Sequence, residues 1–141
     1  MEITANALQT VNANSNVVFT NTAVAGNCSI IHREGSGLVT LRGITSANQR
    51  RARFRILFGG NIAVPTGGTA GAISLAVAIN GEPVETTTMI STPTAVEQFN
   101  NISCSLFLDV IGGCCTQVSI ENTSTSAISL QNANLIIERV A

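Results

Sequence analysis

Gly71-Ala72-Ile73-Ser74-Leu75-Ala76-Val77-Ala78-Ile79-Asn80-Gly81-Glu82-Pro83-Val84 is the stretch that decides the fold. Ile73, Leu75, Val77 and Ile79 recur at period two, and that spacing puts all four on one face of a strand, turned to a core. The other face holds Ala72, Ser74, Ala76 and Ala78. A solvated strand would carry longer polar side chains there, so the small residues predict close packing and mark this face as a candidate for oligomer contact. Asn80-Gly81 then supplies the two positive-φ residues of a tight hairpin turn, with Val84 beginning the return.

The same alternation extends in both directions. In Ala52 to Phe58, Phe54, Ile56 and Phe58 share one face, and Arg53, Arg55 and Leu57 the other. Gly59-Gly60 predicts a bend or bulge before Ile62-Ala63-Val64. From Ile102 to Val110 the core face is Ile102, Cys104, Leu106, Leu108 and Val110, leaving Phe107 on the second face as a further oligomer-contact candidate. Cys115 to Glu121 follows a Gly112-Gly113 turn. The closing strand, Ala127 to Val140, changes phase between Leu130 and Leu135, which predicts a bulge around Asn132-Ala133-Asn134. Towards the N-terminus, Leu38 to Arg42 forms a strand after Gly35-Ser36-Gly37, and the weaker segments are Ile3 to Leu8, Val17 to Thr20 and Cys28 to His32. No segment keeps a helical period over three turns. The reading is an all-β, single-domain antiparallel sandwich over residues 1–141, with residues 1–34 supplying the N-terminal strands.

Composition points to assembly. Charged residues are 11% of the chain and the net charge is −1, against roughly 25% charged in an average soluble domain. Mean hydropathy is +0.35. Such a surface is poorly protected unless much of it is buried against other chains. All seven cations are arginine, so lysine-dependent phosphate loops and Schiff-base chemistry are excluded. The balance is too neutral for nucleic acid to be the main partner. No apolar run approaches the roughly 20 residues of a membrane-spanning helix, and Met1 to Asn6 lacks the basic and apolar regions of a secretory leader, so the expectation is a complete cytoplasmic product.

The chemistry-bearing residues are few. His32 and Asp109 are the single histidine and aspartate, and no serine lies in a nucleophile motif that would join them into a triad. Glu82, Glu85, Glu97 and Glu121 read as solvated acids in loops or on polar faces. The four cysteines, Cys28, Cys104, Cys114 and Cys115, have no metal-ligand spacing. They are expected as buried free thiols, since adjacent cysteines in a strand point to opposite sides. Three glycosylation-type triplets begin at Asn27, Asn101 and Asn122, as a chain this rich in Asn, Ser and Thr yields by chance. Arg50, Arg51, Arg53 and Arg55 are the one charge concentration; they are either a docking patch for an acidic surface or cross-strand partners of Glu97, Glu121 or Glu138. No catalytic, metal or cofactor site is expected.

The hairpin stretch Gly71 to Val84 resembles one that recurs in the trimeric heads of the tumour-necrosis-factor and complement globular-head superfold. Ala133-Asn134-Leu135-Ile136-Ile137-Glu138-Arg139-Val140-Ala141 resembles the final strand of collagen-stalked spore-surface glycoproteins of that group, and Gly37 to Leu41 and Arg53 to Phe58 fall where such heads place two middle strands. The resemblance covers Gly35 to Ala141. It implies a jelly roll that forms tight homotrimers through one sheet of each subunit. The chain departs from the group in having no Gly-X-Y stalk and few aromatics. In this it is similar to capsid-decoration and head-fibre proteins of tailed bacteriophages. The function expected by this analogy is a virion structural protein seated on a major capsid protein. The alternatives are a bacterial spore- or cell-surface head and, third, a glycan- or protein-binding module.

Overall fold

Asn80 and Gly81 adopt φ of 51° and 87°, the left-handed pair that a two-residue hairpin turn requires. Around that turn a computed structural model describes residues 1–113 and 115–141 as two antiparallel sheets facing each other across a common core. One sheet, sheet A, contains β1 (Glu2–Ala5), β2 (Gln9–Val11), β3 (Asn21–Val24), β6 (Arg51–Ala63), β10 (Asn100–Ile111) and β12 (Ile128–Arg139). Its order is β10-β6-β12-β1-β3, with β2 also pairing β12. The other, sheet B, contains β4 (Ile30–His32), β5 (Val39–Leu41), β7 (Ile73–Ile79), β8 (Glu82–Pro83), β9 (Met89–Ser91) and β11 (Thr116–Asn122). Its order is β4-β5-β11-β7-β8, with β9 also pairing β7. A single 3-10 turn at Glu85–Thr87 is the one helical element among the described residues.

The predicted core faces meet between the sheets. Phe54, Ile56 and Phe58 from β6, Leu135 and Ile137 from β12, and Leu75 and Val77 from β7 are all buried there. Asn122 is also fully buried. Its Nδ2 donates to the carbonyls of Val11 and Ser126, and its Oδ1 accepts from the Ser124 amide, so one side chain ties the β2 end to the turn before β12.

The bulge expected around Asn132-Ala133-Asn134 is present. The β6–β12 register slips between Gln131 and Asn134, and Asn132 adopts φ of 55°. Gly59-Gly60, by contrast, does not break its strand, because β6 pairs continuously with β10 through both residues. The irregularity sits on β12 opposite. A side chain at Gly60 would meet Leu130 Cδ1 at 3.0 Å, so glycine is what lets the bulged strand pack this closely.

The N-terminal third departs most from expectation. Val17 to Thr20 is not a strand: Val17 and Phe19 are buried anchors, joined to the sheets by the Val17 amide on the Ile120 carbonyl and by isolated bridges at Asn16 and Phe19. The strands in that region are β2 and β3. The cysteine expectation also needs correction. Cys28 precedes β4 and is exposed, because strand alternation begins only at Ile30, while Cys104 is a half-buried free thiol. Cys115 is disulfide-bonded. It lies ahead of β11, so the strand geometry used to argue against pairing does not reach it. The expectation for Cys114 lies outside the described residues.

Candidate functional site

The outward side chains of sheet A form rows, because register aligns them across neighbouring strands. Ser105, Leu57, Ile136 and Glu2 make one row. Phe107, Arg55 and Glu138 make the next, and beyond it Asp109 stands opposite Arg53. On the other side of the Leu57 row, Ser103, Gly59, Asn134 and Thr4 align. Small residues in that row leave a shallow depression of about 550 Å³, lined by Leu57, Gly59, Ser103, Ser105, Asn134 and Ile136. Phe107 stands beside it and is 65% exposed.

Most of the charges on this face are in ion pairs, while Glu2 instead accepts a hydrogen bond from Asn134 Nδ2. Arg53 donates from Nε to Asp109 Oδ1 at 2.7 Å and from Nη2 to Oδ2 at 3.0 Å, and Arg51 Nη1 reaches the same Oδ2 at 3.1 Å. These guanidiniums, Arg53 first by its hydrogen bonds, hold the Asp109 carboxyl down to about 2, and the carboxylate in turn raises Arg53. Arg55 lies 3.5 Å from Glu138. Exposed pairs of this kind contribute little stability. They lie to one side of the Leu57 row, which ends at Glu2.

The structure redistributes the predicted site residues. Arg51, Arg53 and Arg55 are engaged in these pairs, with Glu138 the foreseen partner and Asp109 the unforeseen one. Glu97 instead accepts from Thr66 and Glu121 belongs to sheet B. Arg50, just before β6, is exposed and makes no ion pair among the described residues. The candidate oligomer face is divided. Phe107 is on sheet A, whereas Ala72, Ser74, Ala76 and Ala78 are in or beside β7 of sheet B. Ala76 and Ala78 are 0% exposed within a single subunit, directly opposite Glu121 and Ser119, with Pro83 on the other flank of Ala78. They cannot serve as an open contact face. Ser74 shares a 2.7 Å hydrogen bond with Thr123.

Leu57 was placed on the outward face but not among the contact candidates, and Ile136 was missed altogether, although the signal was there. Leu57 is the apolar member of the Arg53–Arg55 parity, and Leu135-Ile136-Ile137 is apolar on both faces. The remaining polar candidates are dispersed. His32 is on β4 in sheet B, with Nε2 donating to the Ser36 carbonyl at 3.0 Å and its ring edge-on to Phe19. Asp109 is on the outside of sheet A, so the two cannot form a relay. Burial, and then Glu82, raise the Glu121 carboxyl. Among the described residues no three His, Cys, Asp or Glu side chains are grouped to hold a metal ion.

No family model matches the chain, and no curated protein matches it in sequence. Solved structures do match. The globular domain of zebrafish complement 1qA protein superposes with a TM-score of 0.62 at 13% identity, covering 96% of this chain and 93% of that one. More distantly, family 35 carbohydrate-binding modules from Cellvibrio japonicus and Clostridium thermocellum give TM-scores of 0.41 and 0.38 at 9% and 10% identity. They cover 100% and 96% of this chain, and 98% of each module. The fold is a jelly-roll sandwich like that of the complement globular domain.

Proposed function

We propose that the chain is a non-catalytic assembly module, a homotrimeric head whose subunits pack through the outer face of sheet A. The observation that carries this reading is the exposed Phe107 beside Leu57, on a face where Arg53 and Arg55 are already paired within the subunit. Covering the apolar centre of such a face removes its surface from water while the arginines keep their carboxylate partners. The test is Phe107→Asp, which places a carboxylate in the contact. The expected product is a folded monomer by sedimentation equilibrium and circular dichroism; an unaltered trimer would refute the face.

The finer reading seats this trimer on a bacteriophage shell built from a major capsid protein. Its support is the low charge of the chain and a second exposed patch, at the end of the sandwich where β6 begins and β10 stops. There Ile111 is 76% exposed, and Ile44 and Arg50 are brought near it by the Gly112 amide on the Arg50 carbonyl and the Gly113 amide on the Gly43 carbonyl. Ile111→Asp is expected to abolish co-sedimentation with capsids while leaving the oligomer intact. Failure of the wild type to bind capsids would remove this reading and leave the trimer standing.

A further inference from the structure

A continuous chain of side-chain amides crosses sheet A at the end away from the arginines. Asn101 of β10 donates from Nδ2 to Asn61 Oδ1 at 3.1 Å. Asn61 of β6 donates to Asn132 Oδ1 at 3.1 Å, and Asn132 of β12 donates to Asn6 Oδ1 at 2.7 Å. Asn6 directly follows β1, so the chain runs across four neighbouring strands in their order. Its direction is set at one end, where Asn101 Nδ2 also points to the Gly60 carbonyl, an acceptor that only an amide nitrogen can satisfy. The bulge that puts Asn132 at φ 55° supplies the extra residue that links Asn61 to Asn6.

This relay has two unlike ends. Among the described residues, Asn101 Oδ1 has no donor and Asn6 Nδ2 has no acceptor, and both residues are exposed. Asn61 and Asn101 share the outward parity of Leu57 and Phe107, so the relay belongs to the same face as the proposed subunit contact. In a cyclic assembly each subunit shows one side to the neighbour on its left and a different side to the neighbour on its right. A chain with a donor end and an acceptor end fits that arrangement, whereas an end-to-end twofold would set donor against donor.

We infer that the Asn6 amide of one subunit donates to Asn101 Oδ1 of the next, closing the asparagine relays of the assembly into a ring that fixes the register between subunits. The inference rests on the homotrimer reading and names the contact that aligns it. Neutral amides suit this role because, unlike the apolar centre of the face, a hydrogen-bonded relay is satisfied in one alignment and left unpaired in others.

The test compares the wild type with Asn6→Asp, Asn6→Ala, Asn101→Lys and the double variant Asn6→Asp/Asn101→Lys by sedimentation equilibrium, with circular dichroism as the check on folding. Asn6→Asp sets an acceptor against an acceptor and is expected to weaken the trimer by about ten-fold or more, whereas Asn6→Ala, which adds no charge, weakens it by only a few-fold. The double variant is expected to recover most of the loss, because the introduced ammonium can donate to the introduced carboxylate of the neighbour. Within one subunit the two positions are separated by three strand spacings, roughly 14 Å, so an intrachain pair cannot explain recovery. A wild-type trimer that tolerates Asn6→Asp, or whose loss is not recovered in the double variant, overturns the ring and leaves the trimer reading in place. A monomeric wild type overturns the trimer reading itself.

Discussion

On β7 the outward methyls of Ala76 and Ala78 are fully buried within one subunit, while on β10 the outward Phe107 is 65% exposed. Both positions obey the same period-two rule, and both stand on the face turned away from the common core. What separates them is the size of the neighbours. Ala76 lies opposite Glu121, and Ala78 between Pro83 and Ser119, which is itself buried, so neither methyl reaches the surface. Around Phe107 and Leu57 the arrangement is inverted, because Ser103, Ser105 and Gly59 recede and leave the apolar groups standing out. Alternation assigns a residue to a face; the relative height of its cross-strand neighbours decides whether that face is open to another molecule.

The sharpest way to break this contrast is a charge on each face. Ala76→Arg should destabilise the subunit itself by at least about 3 kcal/mol, through overpacking and a buried unpaired charge, read as a lowered chemical-denaturation midpoint. Phe107→Asp, at an exposed position, should alter monomer stability by no more than about 0.5 kcal/mol while changing the mass of the particle. Equal loss of fold in both variants would erase the distinction between the faces.

A smaller effect is expected from the paired charges. Asp109 is depressed from 3.8 to about 2 by Arg53 and Arg51. A depressed carboxyl contributes stability that is complete above its unfolded range and is lost as the pH falls through its folded value. The melting difference between wild type and Asp109→Asn should therefore be constant above about pH 5 and should vanish between 3.8 and about 2. A difference that persists below that range would mean Asp109 acts by packing and not by its charge. The smallest effect separates two thiols. Burial pushes Cys104 up to about 11, so it should alkylate more slowly than exposed Cys28 at pH 8, as mass spectrometry of the labelled peptides would report.

Much of the sandwich was legible because its central strands are long and strictly patterned. β6, β7, β10 and β12 were all recognised, and even the β12 bulge was visible as a change of phase between Leu130 and Leu135. The short strands β2, β3 and β9 were not, since three or four residues such as Asn21–Val24 carry too little alternation to distinguish them from loop. The candidate face was legible only in part. Phe107 and the arginine parity were identified, but Asp109 as the partner of Arg51 and Arg53 depends on the β6–β10 register, which no local pattern contains. The asparagine relay is still less local, joining residues up to 126 positions apart in the sequence.

The contrast between the faces comes down to whether the subunit is whole on its own. Sedimentation equilibrium of the wild-type chain at micromolar concentration measures that directly. The account predicts a particle near three times 14.6 kDa. A stable species at the subunit mass, soluble and folded at that concentration, would contradict it.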